Sequence, residues 1–176
     1  METLPWFTHQ AVLGSPIASA SQISAKTASD RHVEQYGGPL GTLDATLLGH
    51  LPSFTAYSQW FTLRDAVVPY VGERAVSLFC FAISDEYGSP ICAEYFRTVL
   101  VDAGEDLDNP QVTETEQLLI DWGRLIARDP HGIPDEMYAH LEERFNPTLR
   151  TLLVAFAGLM VAVNLFTTVG RVPLDQ

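Results

Sequence analysis

The stretch Glu73–Gly104, ERAVSLFCFAISDEYGSPICAEYFRTVLVDAG, decides how the chain is read. It reads as two helices on either side of a single break. Gly88 supplies the break, and Ser89 is a residue type that caps helix N-termini. Pro90 fits the first helical position, where its missing N–H would be unpaired anyway. Gly104 ends the second segment where a left-handed cap is expected. A break this short predicts an antiparallel helix hairpin. Both cysteines of the protein lie in it, Cys80 in the first helix and Cys92 in the second. Pairing about a centre near Glu86 brings Ser77 and Cys80 close to Cys92.

Outward from the hairpin the pattern stays helical. Upstream, LDATLLGH reads as a short helix, and Pro52 opens another that carries Phe54, Tyr57, Trp60 and Phe61 and ends at Pro69 and Gly72. Downstream, Thr113 and Glu116 have capping-box spacing at the start of EQLLIDWGRLIARD. Pro134 and Asp135 begin a short amphipathic helix, and Asn146 with Pro147 opens a long apolar one that Gly170 stops. The acidic run Glu105, Asp106, Asp108 reads as a solvated loop. No segment alternates with period two and no hairpin dipeptide occurs. The fold class expected is all-α, a bundle of about six or seven helices built around the hairpin, with no sheet. Residues 1–41 are expected to form an N-terminal arm, partly irregular, and residues 42–176 the helical domain.

Composition narrows the function classes. Hydrophobic residues make up 47% of 176, and the formal net charge is -12 with Lys26 the only lysine. Such a chain repels phosphate backbones and anionic membrane surfaces, so neither nucleic acid nor membrane is an expected partner. Two cysteines make no disulfide framework, and the N-terminus has no basic region of a secretory signal, which points to the cytoplasm. Thr151–Val169 is uncharged over nineteen residues, near the length that spans a bilayer. A soluble central helix buried on every side is the preferred reading of that run.

The chemistry-bearing residues concentrate in the hairpin. Glu73, Ser77, Cys80 and Ser84 fall on one helical stripe. Cys92 lies in the first turn after Ser89 and Pro90, where free N–H groups and the helix dipole favour a thiolate. Against this stands the common fate of a free cysteine, a small buried hydrophobe. Tyr57, Trp60 and Tyr87 are candidates to line a pocket with Phe96. His50, His131 and His140 have no partner at motif spacing, and no metal-binding motif or phosphate loop occurs, so no metal or cofactor is expected.

From His50 to Asp175 the chain resembles the carboxymuconolactone decarboxylase / alkylhydroperoxidase D family. The likeness rests on HLPSFTAY, the break before the second hairpin helix, RDPHGIPDE and the ending MVAVNLFTTVGRVPLD. It implies an all-helical fold, a small-molecule substrate and a homo-oligomer (dimer, trimer or hexamer). The family's redox members use a Glu base, a Cys-x-x-Cys pair and a His. Those positions fall here on Ser77, Ser89 with Cys92, and Phe96, so only Cys92 is kept. The resemblance therefore implies non-redox chemistry of lyase, decarboxylase or isomerase type on a small, largely apolar molecule, with Cys92, Glu73 and Ser77 positioning or exchanging a proton. Two alternatives stand beside it. One is a thiol-dependent peroxidase using Cys92, with Cys80 or an external thiol resolving it and Glu73 as its replacement base. The other is a non-catalytic oligomer.

Overall fold

The computed structural model describes residues 16–37 and 40–174, with side chains from residue 25 onward. Over these residues it is all-helical, as the sequence predicts. The helices are α1 (Pro16–Tyr36), α2 (Thr42–Leu47), α3 (Leu51–Tyr57), α4 (Gln59–Val71), α5 (Glu73–Tyr87), α6 (Pro90–Asp102), α7 (Glu114–Arg128), α8 (Asp135–Arg144) and α9 (Pro147–Val169). They outnumber the six or seven expected for two reasons. Ser58 divides the helix opened by Pro52 into α3 and α4, and α1 is helical where an irregular arm was expected.

Helix α1 is held by aromatic packing rather than by a strong apolar stripe of its own. His32 is buried against the rings of Phe54 and Phe61, at centroid distances of 5.5 and 4.9 Å. Tyr36 stacks on Phe61 at 4.3 Å. Residues 1–15 of the expected arm, and Asp175 of the family-like ending, lie outside the described residues.

The centre of the molecule is α5. It packs against α4, α6, α7 and α9, and Val76, Phe79, Cys80 and Ile83 are shielded from solvent on successive turns. A helix enclosed on several sides reads as apolar nearly all round. It packs tightly on α7 at Gly123, where an added Cβ would stand 3.0 Å from Phe79 Cδ2 and 3.1 Å from Ile83 Cγ1. Helix α9 does not occupy the central place predicted for it. Leu153, Phe156, Ala157 and Met160 are buried, but Val154, Leu165 and Val169 on the opposite face are 56%, 50% and 68% exposed. It has the length and apolarity to cross a membrane, a test that a soluble core helix also passes. Burial of one face only corrects the reading of a helix covered on every side.

The helix ends follow local chemistry. Thr113 and Glu116 form the expected capping box, each side chain bonding the other's backbone N–H at 3.3 and 2.8 Å. Asn146 Oδ1 accepts from the Leu149 N–H at 2.9 Å. Helix α4 runs through Pro69 to Val71 and ends at Gly72, so of the two expected stop residues the glycine closes it. Glu105 is not a solvated carboxylate. Arg74 of α5 donates to it and also pairs with Glu116, tying the α6–α7 loop and the start of α7 to the central helix.

Candidate functional site

The turn between α5 and α6 sets the site. Gly88 adopts φ 76°, a left-handed conformation that glycine enters without a Cβ penalty. The Gly88 N–H then bonds the Asp85 carbonyl and the Ser89 N–H bonds the Ser84 carbonyl, both at 3.1 Å, closing α5. Ser89 thus ends one helix and starts the next. It occupies the N-cap position of α6, yet its hydroxyl does not cap the helix as expected. It turns inward instead and lies 3.0 Å from Thr167 Oγ1 on α9. Cys92, the third residue of α6, places its Sγ 3.8 Å from the same hydroxyl.

Thr167 is the hub of this contact. Its hydroxyl donates to the Asn164 carbonyl at 3.0 Å, so its oxygen is left to accept from Ser89. The end of α9 holds it in place. The Val172 N–H bonds the Thr167 carbonyl at 3.1 Å and the Arg171 N–H bonds Thr168 at 3.3 Å, with Arg171 at φ 47°. Asn164, one turn earlier and fully buried, donates from Nδ2 to the Met160 carbonyl at 2.9 Å. Its Oδ1 is enclosed without a hydrogen-bond partner. An aromatic wall adjoins the cluster: Phe96, one turn beyond Cys92, lies 6.0 Å from Trp60, which meets Phe156 at 5.6 Å. Trp60 Nε1 is also enclosed and unpaired.

Burial decides the protonation of the thiols. Cys92 is only 5% exposed, and this desolvation pushes its thiol above the ordinary range. The Ser89 and Thr167 hydroxyls pull the other way without overcoming it. The thiolate expected from the helix start is therefore corrected to a neutral thiol. Cys80 is fully buried and held protonated well above the ordinary range by the same cause, with Arg64 opposing and Cys92 reinforcing the rise. The two thiols sense each other electrostatically and are both free.

Glu73 does not reach the site. It is the exposed first residue of α5 and forms an ion pair with Arg64 of α4, so the role of replacement base is corrected. Ser77 is half-buried one turn before Cys80 and is not among the groups bonded to Cys92. Tyr57 packs on Phe166, at 5.3 Å, beside the α9 end of the cluster. Tyr87 is half-buried at the end of α5 and joins none of the described aromatic pairs. Among the predicted residues, then, Ser89 and Cys92 share a hydroxyl contact, Phe96 and Trp60 share a wall, and Cys80 lies within electrostatic reach. Thr167 was missed. It is one of two adjacent threonines in a long apolar run, and only the packing of α9 on α6 distinguishes it from Thr168.

Elsewhere, an open groove of about 460 Å³ runs between α7 and α8, lined by Thr113, Gln117, Asp121, Met137 and His140. It contains none of the predicted site residues. His50 and His140 are exposed, and no group of three or more metal-ligating side chains occurs among the described residues. Comparison with known proteins found no matching family model, no matching curated protein and no matching solved structure.

Proposed function

We propose that the chain is a carboxymuconolactone decarboxylase-like enzyme with its bundle built around the α5–α6 hairpin. On this reading it acts on a small, uncharged, largely apolar organic molecule by non-redox chemistry of lyase, decarboxylase or isomerase type. The observation that supports the reading is the contact of two neutral hydroxyls and a thiol, Thr167, Ser89 and Cys92, beside the Phe96–Trp60 wall. The hydroxyl and thiol groups beside it are neutral, which suits an uncharged molecule and proton exchange rather than attack by a thiolate. The peroxidase alternative is weakened by the same facts: Cys92 is held protonated and Glu73 is engaged by Arg64.

The test uses a panel of uncharged lactones and hydroxyaromatic compounds, with tryptophan fluorescence reading binding and product analysis reading turnover. Binding is expected in the wild type and in Cys92→Ser, with turnover lost in the latter. Peroxide consumption that depends on Cys92 would select the peroxidase instead. An inert wild type that binds nothing in the panel would refute the small-molecule reading.

A further inference from the structure

The site at Cys92 is closed. Ser89, Cys92, Phe96 and Thr167 are all buried, and the open groove between α7 and α8 contains none of them. A molecule that binds beside Phe96 and Cys92 enters only when a covering element moves.

Helix α1 covers the outer end of the aromatic wall. Ala25, Ala28, Ser29, His32 and Tyr36 fall on its inward face, and among residues 25–36 only His32 is buried. His32 meets Phe54 and Phe61 edge-on, and Tyr36 stacks on Phe61. Behind them the rings lead toward the site. Phe61 stands edge-on to Trp60 at 5.0 Å, and Trp60 lies 6.0 Å from Phe96, one turn beyond Cys92.

This attachment suits release. The side chains that most often anchor a helix for good are branched aliphatics. Helix α1 turns inward small residues and two rings whose polar atoms water takes up again on departure. Lys26 pairs with Asp30, and Gln35 with Tyr36, inside the helix, so neither pair ties it to the body. The sequence PIASASQISAKTASDRHVEQY is rich in serine, and a helix of this kind is marginal in water once undocked. Undocking and unwinding are then one local event that leaves the rest of the bundle folded. Gly37, at φ 76°, closes α1, and Gly41 precedes α2, so the chain bends between them at little cost.

We propose that α1 is a lid over the aromatic wall. Docked through His32 and Tyr36 it shuts the route to Phe96 and Cys92, and its departure opens that route to an uncharged, apolar molecule. The lid rests on the small-molecule reading for what it admits, but its movement is tested without any ligand.

The test uses the full chain. Trypsin cuts after Lys26 and Arg31, both exposed on α1, only where that helix opens, and the rate of cutting reports the open population. The wild type should be cut there while Arg124 and Arg128, exposed on the packed helix α7, stay intact. His32→Ala and Tyr36→Ala should each speed the cut roughly tenfold through the lost ring contacts. His32→Leu, an apolar anchor in place of a polar one, should slow it. Acrylamide, a small uncharged quencher, reads the route itself. In a Trp6→Phe background only Trp60 and Trp122 emit. Quenching should rise in His32→Ala and Tyr36→Ala, and the rise should vanish when Trp60→Phe is added. Cutting on α1 no faster than on α7, a faster cut in His32→Leu than in the wild type, or unchanged quenching of Trp60 in variants whose α1 opens would overturn the lid. β-Naphthol, an uncharged hydroxyaromatic, should associate faster with the opened variants than with the wild type, and equal rates would also overturn it. A lid that opens by both readings while no compound of the panel binds even the opened variants would refute the small-molecule reading alone.

Discussion

Raising the pH of the folded protein tests the burial of its two thiols. An unperturbed cysteine ionises near pH 8.5. Burial raises both Cys92 and Cys80 above that in the folded state. Between the unfolded and folded values the native chain therefore holds protons that the unfolded chain has released. The stability these thiols confer is complete below about pH 8.5 and is lost as pH climbs toward the folded values, because unfolding then releases protons. Each thiol contributes a slope of about 1.4 kcal/mol per pH unit, so the pair together approaches about 3 kcal/mol per unit in that window. Tyr95 is 57% exposed, and its phenol bears on the loss only above about pH 10, outside that window.

The assay is chemical denaturation at a series of pH values between about 7 and 10, with the thiolate absorbance followed in parallel. Stability should be flat with respect to the thiols at the acid end and fall steeply above about pH 8.5, with roughly half the slope in Cys92→Ser. The absorbance of folded protein should show no inflection below pH 8.5, and both thiols should react with an aromatic disulfide reagent only after unfolding. A thiolate inflection at or below neutrality would refute the argument. It would mean that the start of α6 outweighs burial, and the peroxidase reading would replace the non-redox one.

Two further changes probe the frame that holds the site. Arg74→Met removes the cation that joins Glu105 and Glu116 to α5, and leaves the buried Glu116 carboxylate on Thr113 alone. A loss of about 1–2 kcal/mol is expected by urea denaturation, below the usual cost of breaking a buried pair because Arg74 is partly exposed. Burial alone would raise the Glu116 pKa, but the Thr113 N–H, Arg74 and the Thr113 hydroxyl together hold it below the ordinary range. Its contribution is present above about pH 4.3 and is lost as pH falls through the lower folded value, so in Arg74→Met the acid loss should begin at higher pH. Gly123→Ala drives a methyl group toward the immobile Phe79 ring and should cost about 1 kcal/mol net, overpacking outweighing the gain in helix propensity. That corresponds to a fall of about 2–4 °C in melting temperature for a chain of this size. An unchanged or raised melting temperature would show that α5 and α7 can part at that point.

What was legible in the sequence was the chemistry of neighbours. Thr113 with Glu116, Asn146 before Pro147, and the Gly88–Ser89–Pro90 break all act across a few residues, and the structure places a helix end at each. What was not legible was the choice between surfaces of equal apolarity. The run in α9 is longer and greasier than α5, yet α5 is central because other helices pack around it, while α9 keeps one face outward. Glu73 falls on the stripe of Cys80 by helical spacing, but the ion pair with Arg64, nine residues earlier, draws it to the surface.

Cys92 shows the same division at the level of one atom. The sequence states the sign of each influence on it: a helix start lowers a thiol's pKa and burial raises it. It does not state their relative size, because the covering atoms come from a remote part of the chain. Thr167 sits 75 residues away along the backbone and only 3.8 Å away in space. It reaches that place because Val172 and Arg171 close the end of α9 around it. Loosening that closure should therefore act on the thiol before it acts on the fold. Val172→Ala removes a buried side chain at the cap and leaves the hydrogen bonds of the turn intact. It should raise the reagent accessibility of Cys92, with Cys80 unaffected, as peptide mapping of the labelled thiol would show. Equal labelling of both thiols would mean that the variant opens the whole core, and that the cover over Cys92 does not depend on the end of α9.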